Sequence, residues 1–210
     1  MDLEEQRTVG AGVEDIDRDP APDTRERLVR AAIDVFLEKG YGGSRVQDIA
    51  SRAGYTAGAL YVHFPSRAAL LGEAIMMEGR QIVSGMIESV GRVTTADGGI
   101  SRALAEFTLA KTSHIDVLLL EALALASREE EAREMLGATL AELEDSMVEQ
   151  IHQATDEGVV DASLDVTAIR AVVSSWVLGM IVRRAVGLGS ADFDRTLEVY
   201  TRVVGGLAPD

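Results

Sequence analysis

The sequence predicts an all-α protein. Apolar residues recur at helical spacing from Asp23 almost to the C-terminus, and no run shows convincing strand alternation. Only four prolines occur, and none lies between Pro65 and Pro209. With 210 residues, 47% of them hydrophobic, the chain can bury a sizeable core in one or two domains. The expected organisation is an acidic tail over residues 1–22, a small helical domain over 23–70 and a larger helical body over 71–210.

Residues 1–22 combine Gly10, Gly12, Pro20 and Pro22 with many acids and almost no large apolar residues, the composition of a disordered tail. The first helix is expected from Asp23, with Glu26 as its capping-box partner. Leu28, Ala32, Val35 and Phe36 form its buried face, and Gly40 stops it. Ser44 is expected to cap the second helix with Gln47 as reciprocal partner. Val46, Ile49, Ala50 and Ala53 are its apolar side, and Gly54 ends it. Thr56 caps a third helix running to about His63. Pro65 then breaks the chain and restricts Phe64. Ser66 caps a long fourth helix reaching about Val90. Further helices are expected near 99–112, 115–126, 129–157, 166–188 and 192–206. Gly98-Gly99, Gly158, Gly187, Gly189 and Ser190 punctuate them.

Composition excludes several classes. The chain has no cysteine, so a disulfide scaffold, a thiolate metal site and a cysteine nucleophile are ruled out. The acidic N-terminus, MDLEEQRTVG, has no apolar signal region, and no run approaches the roughly 18 uninterrupted apolar residues of a membrane span. A cytoplasmic protein without a membrane partner is expected. The three histidines stand apart at 63, 114 and 152, and there is no HExxH and no phosphate-binding glycine loop. Glu106 and His114, about two helical turns apart, are a weak anchor for catalysis. The expectation is therefore no enzyme, no metal and no cofactor.

Charge is distributed unevenly. The net charge is −15, yet residues 24–70 carry seven basic and four acidic residues, net +3. Residues 1–23 are net −6 and residues 71–210 net −12. A basic island in an acidic chain is a candidate footprint for phosphate, against chance clustering.

That island holds a helix-turn-helix pattern. Ala50 is small where the two helices would cross, Gly54 supplies the turn, and Ile49 and Leu60 lock the pair. Thr56 caps the second helix so that its first amides can face an anion. In such a motif the second helix enters the major groove; the bland reading is an ordinary helical corner.

The stretch Arg27-Leu28, Ala32, Phe36, Gly40, Ile49-Ala50, Ala53-Gly54, Gly58-Ala59-Leu60-Tyr61-Val62-His63-Phe64 and Leu70 resembles the TetR family of transcriptional regulators. The specific match covers about residues 24–75. The rest is similar to the family in length, helicity and helix order. The resemblance implies that Thr56, Tyr61 and His63 clamp phosphates, which a hydroxyl, a phenol and an imidazole can do by donation. Arg67 stands where the family usually has lysine. Arg45 and Gln47 occupy positions that touch phosphate or bases in some members. The groove-facing residues would be Ala57, Gly58 and Ala59, and none has a side-chain hydrogen-bonding group. Base reading is therefore expected mainly from Arg45, Gln47 and Tyr55, with methyl contacts and DNA shape carrying the remainder. The net −6 tail is not expected to enter a minor groove.

For the body, the resemblance implies a ligand pocket and a dimer interface. Candidate pocket residues are Met76, Met77, Met86, Phe107, Leu118, Met135, Met147, Trp176 and Met180, each of which is equally readable as plain core. His114, His152, Arg183 and Arg184 are polar candidates for holding a ligand, and the acidic body favours a neutral or cationic one. Ile169, Val172, Val173, Trp176, Gly179, Leu197, Tyr200 and Val204 are expected at the interface of a homodimer. Such a dimer would present two recognition helices to a palindromic double-stranded operator. The implied function is a repressor released by an unidentified small-molecule effector. Two alternatives remain: a helical interaction module that has lost specific DNA binding, and a small helical enzyme.

Overall fold

The computed structural model describes residues 23–91, 99–158, 160–188 and 191–205. The expected tail, Gly98, Gly189, Ser190 and the last five residues lie outside them. The described residues form helices only: α1 (Thr24–Gly43), α2 (Val46–Ala53), α3 (Ala57–His63), α4 (Arg67–Gly91), α5 (Gly99–Leu109), α6 (His114–Ala126), α7 (Glu130–Asp156), α8 (Val166–Ala185) and α9 (Phe193–Gly205).

Two of the expected caps form and two do not. The Thr56 hydroxyl accepts from the Ala59 amide and that of Ser66 accepts from the Ala69 amide, satisfying amides that the first turns of α3 and α4 leave open. Asp23 precedes α1 without a side-chain cap, because Glu26 turns instead to Arg30 one turn on. Ser44 does not cap α2. It is buried and donates back to the Tyr41 carbonyl, leaving Arg45 at the cap position. Gly40 (φ 68°) and Gly54 (φ 81°) take the left-handed conformation at the two turns that the sequence marks.

One core runs through most of the chain. Leu28 and Phe36 of α1, Ile49 of α2, Leu60 of α3, Leu70, Leu71 and Ile75 of α4, Leu118 of α6 and Ile181 of α8 are buried in a single cluster. The expected domain boundary after residue 70 falls inside α4, between two fully buried leucines. Glycines bring α4 against α7. A β-carbon on Gly72 would come within 2.8 Å of the Met135 sulfur, and one on Gly79 within 2.9 Å of a Leu143 methyl. A second cluster joins α5 to α9, with Leu104, Ala105 and Tyr200 buried and Trp176, Phe193, Leu197 and Val204 packed around them.

By length and composition α8 could cross a membrane, with a mean hydropathy of 1.5. Its polar contacts instead tie it into the protein. Arg170 pairs with Glu144 and Asp145 of α7. Arg184 donates to both carboxylate oxygens of Asp116 at 2.7 and 2.9 Å, and to the Phe107 carbonyl at 2.7 Å.

The Arg184–Asp116 pair is the buried ion pair of the body, with side-chain exposures of 7% and 0%. Asp116 also accepts from the Ser113 amide at the start of α6. Removing either partner strands the other charge in a dry site, which typically costs about 3–5 kcal/mol. Arg184→Ala and Asp116→Ala should each lower the urea midpoint by an amount in that range. The double replacement Asp116→Leu/Arg184→Met should recover most of the loss.

Candidate nucleic-acid interface

The helix-turn-helix is held from behind by α1. The Arg27 guanidinium donates to the Ala53 carbonyl at 3.0 Å and to the Tyr55 hydroxyl at 3.2 Å, and lies 5.0 Å from the Tyr55 ring centre. Thr24 shares a further 3.1 Å hydrogen bond with the same hydroxyl. Tyr55 is thereby turned toward α1. It braces the turn from the α1 side.

Arg67 is also engaged. Its guanidinium sits 4.1 Å from the Tyr41 ring centre and donates to the Ser44 carbonyl. That fixes the start of α4 to the Ser44 backbone between α1 and α2.

The same accounting changes the meaning of the basic island. Arg25 pairs with Glu73, Arg30 with Glu26, Lys39 with Asp48 and Arg52 with Glu38. Arg27 and Arg67 are committed as above. Among the described residues, Arg45 is the one arginine or lysine between Thr24 and the first turn of α4 with no ion pair or side-chain hydrogen bond. The positive segment is therefore mostly an internally paired scaffold, with one cation left for solvent.

The outer surface of α2 and α3 gathers most of the remaining expected residues. Arg45, Gln47, Thr56, Gly58, Tyr61 and His63 are exposed, and Ala57 and Ala59 are half-buried. Leu60 alone of α3 is buried, which orients the helix with Gly58, Tyr61 and Val62 outward. Val62, which sequence reasoning missed, is 82% exposed, more than any other large apolar residue among those described. Its signal was available in the spacing, since it lies one turn after Gly58 and opposite Leu60. A branched apolar side chain on this face can meet a thymine methyl.

The body holds an apolar cavity of about 90 Å³ where α4, α5, α6, α7 and α8 converge. Of the expected pocket residues, Phe107 and Met147 line it. Met76 and Leu118 are buried in the helix packing, and Met77 and Met135 pack against the main core. Trp176 stacks on Tyr200 at 4.8 Å, and Met180 meets the Thr108 hydroxyl; neither lines the cavity. The Met86 side chain lies outside the described residues. The residues missed are branched aliphatics, among them Ile82, Ile115, Leu140 and Val177. Of the polar candidates, Arg184 is consumed by Asp116, His114 faces Glu78 at 3.6 Å, His152 is exposed, and Arg183 lines a separate surface cleft beside Lys111.

The expected interface residues divide. Trp176, Leu197, Tyr200 and Val204 face α5 within the same chain. Val172 and Gly179 are exposed, and Ile169 and Val173 are half-buried. The large apolar residues exposed in and just after α8 and in α9 are Val172, Val182, Val186, Leu188, Val199 and Val203.

Two exposed pairs join α1 to α2, and they titrate. The hydrogen bond from Arg52 holds the Glu38 carboxyl below its usual value of 4.5, and that from Lys39 holds Asp48 below 3.8. Their contributions are complete above those values and are lost as pH falls through the lower folded ones. Glu38→Gln should therefore destabilise the protein slightly at neutral pH. The difference from wild type should vanish in acid and shrink in high salt, as pH-resolved unfolding curves would show.

Residues 28–74 match the family model of the bacterial regulatory proteins, tetR family. The chain is 32% identical over 123 residues to the transcriptional regulator CymR of Pseudomonas putida, covering 57% of this chain and 59% of that one. It is 45% identical over 51 residues to the transcriptional repressor DhaR of Mycobacterium sp. (strain GP1), covering 24% and 26%. The matched stretch thus spans less than two thirds of the length of these relatives. The crystal structure of a TetR-family transcriptional regulator from Rhodococcus sp. superposes with a TM-score of 0.67 at 22% identity, over 89% of this chain and 98% of that one. These relatives and neighbours are transcriptional regulators, a class that is not enzymatic. Residues 28–74 thus match the tetR family model, and the nine described helices follow the fold of a TetR-family regulator.

Proposed function

We propose that the chain is a sequence-specific DNA-binding regulator of transcription, a repressor that releases its operator when a small molecule occupies the body. The observation that carries this is the outer face of α2 and α3. It sets the unpaired Arg45 beside Gln47, with Tyr61, His63 and the Thr56 hydroxyl around an α3 surface open at Gly58. Arg45, Thr56, Tyr61 and His63 supply donors for phosphate oxygens, and Gln47 has the amide that reads adenine edges. Gly58 with Ala57, Ala59 and Val62 gives close approach and methyl contact.

The active species is a homodimer. Val172, Val182, Val186, Val199 and Val203 are apolar side chains that the chain's own core leaves exposed, and a second copy would bring the same residues to cover them. Val172→Glu/Val199→Glu should yield a monomer by sedimentation and should abolish binding to a palindrome.

The DNA reading is tested by fluorescence anisotropy. A duplex from upstream of the protein's own gene is compared with an unrelated duplex at two salt concentrations. Selective binding that weakens with salt is expected. Arg45→Ala should weaken binding to every sequence and lower the salt slope by about 1. Gln47→Ala should relax selectivity at one base pair and leave non-specific binding nearly intact. Equal loss on all duplexes would remove Gln47 from base reading.

One observation favours a second reading, an interaction module without specific DNA binding. The α3 surface lacks side-chain donors at residues 57–59, and Arg45 stands alone as an uncommitted cation. Equal, weak binding to all duplexes would support it.

A further inference from the structure

The chemistry of the cavity walls deepens the proposed regulation by restricting what can occupy the body; it rests on that reading only for its consequence at DNA. The walls come from five helices, and Ile115, Leu119 and Ile181 at its floor are almost fully buried. Phe107, Leu143 and Val177 complete an aliphatic and aromatic lining. Only two lining residues, Glu144 and Ser174, have polar side chains, and both are already engaged. Glu144 lies 3.5 Å from the Arg170 guanidinium, and the Ser174 hydroxyl donates to the Ala171 carbonyl. Among the described residues, no buried side-chain nitrogen or oxygen lacks a hydrogen-bond partner. The cavity therefore offers an entering charge neither a counter-ion nor a dipole waiting for one. Placing an ammonium or a carboxylate there would strip its water without replacement.

We infer that the cavity takes a small uncharged hydrocarbon-like ligand, a short alkyl chain or a single aromatic ring, and excludes charged analogues of the same size. Its volume, about 90 Å³, sets the size. A dry apolar cavity of about 150 Å³ accommodates benzene, so a single ring is the upper limit for this smaller one and requires its walls to move outward. The net −15 charge of the whole chain argues for a cationic ligand only at a distance. At the cavity itself the sole carboxylate, Glu144, is turned to the Arg170 guanidinium that it shares with Asp145, and the apolar walls decide.

The probe is toluene, with benzylammonium and benzoate as isosteric cation and anion. All are titrated into the full-length protein without DNA and followed by the methyl NMR signal of Met147 and by the thermal midpoint. Toluene is expected to shift the Met147 signal saturably and raise the midpoint. The two ions should bind at least tenfold more weakly. Val177→Phe, which fills the cavity, should weaken toluene binding at least tenfold; Ser174→Leu serves the same purpose if the first variant does not fold. Absence of toluene binding, equal or tighter binding of either ion, or unchanged binding in a folded filling variant would each overturn the inference. Adding toluene to the protein–operator complex is read separately. Saturable binding with no change at DNA would leave the ligand class standing and sink its regulatory use. Operator binding without toluene binding would do the reverse.

Discussion

The five-residue segment from Gly40 to Ser44, the kinked last turn of α1 and the residue after it, is where α2 and α3 meet the body, and two side chains clamp it. Glu121 of α6 accepts from the Tyr41 amide at 3.2 Å, and a β-carbon on Gly40 would stand 3.2 Å from the same carboxylate. Arg67 at the start of α4 covers the Tyr41 ring and donates to the Ser44 carbonyl. Tyr41 and Ser44 are themselves buried, and Ser44 closes the loop by donating to Tyr41. An acceptor from α6 and a donor from α4 thus fix a short backbone segment whose left-handed glycine allows the turn. The orientation of α2 and α3 follows from it, because the same continuous core leaves them no independent position. A helix-turn-helix joined by a free linker would change direction without consequence for the body; this one does not.

That constraint gives a reason for the charges in the first three helices. The basic residues read in sequence as a phosphate footprint are spent almost entirely on holding α1 to its neighbours. Lys39 and Arg52 pin α2, Arg27 pins the turn, and Arg25 and Arg67 pin α4. Exposed pairs are individually weak, but they act beside a buried core, so their role is register more than stability. An interface prepared in this way presents few free cations. In the function proposed above, affinity for DNA would then lean on neutral donors, amides and shape more than on bulk charge.

The helices and their punctuation were legible because each rests on local chemistry. Gly40, Gly54, Thr56, Pro65 and Ser66 act within a few residues of themselves. Caps failed where a competitor lay equally near. Glu26 found Arg30, and Ser44 found the Tyr41 carbonyl. Partners across the fold were not legible. Arg184 looked like half of a surface basic pair until α6 placed Asp116 against it. α9 shows what periodicity leaves open. Leu197, Tyr200 and Val204 form one apolar face, and Val199 and Val203 form another. Helical periodicity reports that both exist, but only the position of α5 decides which is covered within the chain. The cavity was sought among methionines for their adaptability. It is lined chiefly by branched aliphatics, because a void is left where stiff side chains cannot close the gap between helices.

α6 connects these separate facts. Within one short stretch it carries Ile115 and Leu119 on the cavity floor, Asp116 in the grip of Arg184, and Glu121 on the Tyr41 amide. Asp116 and Glu121 are about 7.5 Å apart along the helix axis. Phe107 is shared between the two ends of this arrangement. Its ring faces the cavity and lies 4.5 Å from the Arg184 guanidinium, while its carbonyl accepts from the same group. A ligand that displaces the Phe107 ring therefore acts on the one strong polar anchor of α6, and α6 cannot shift without drawing on the linker at Tyr41. Coupling requires only that the ligand favour one of two positions of a rigid helix. The glycines at 72 and 79 bring α4 against α7 at contact distance, so a change at the cavity passes more directly to α6 through Asp116 and on to Tyr41 through Glu121.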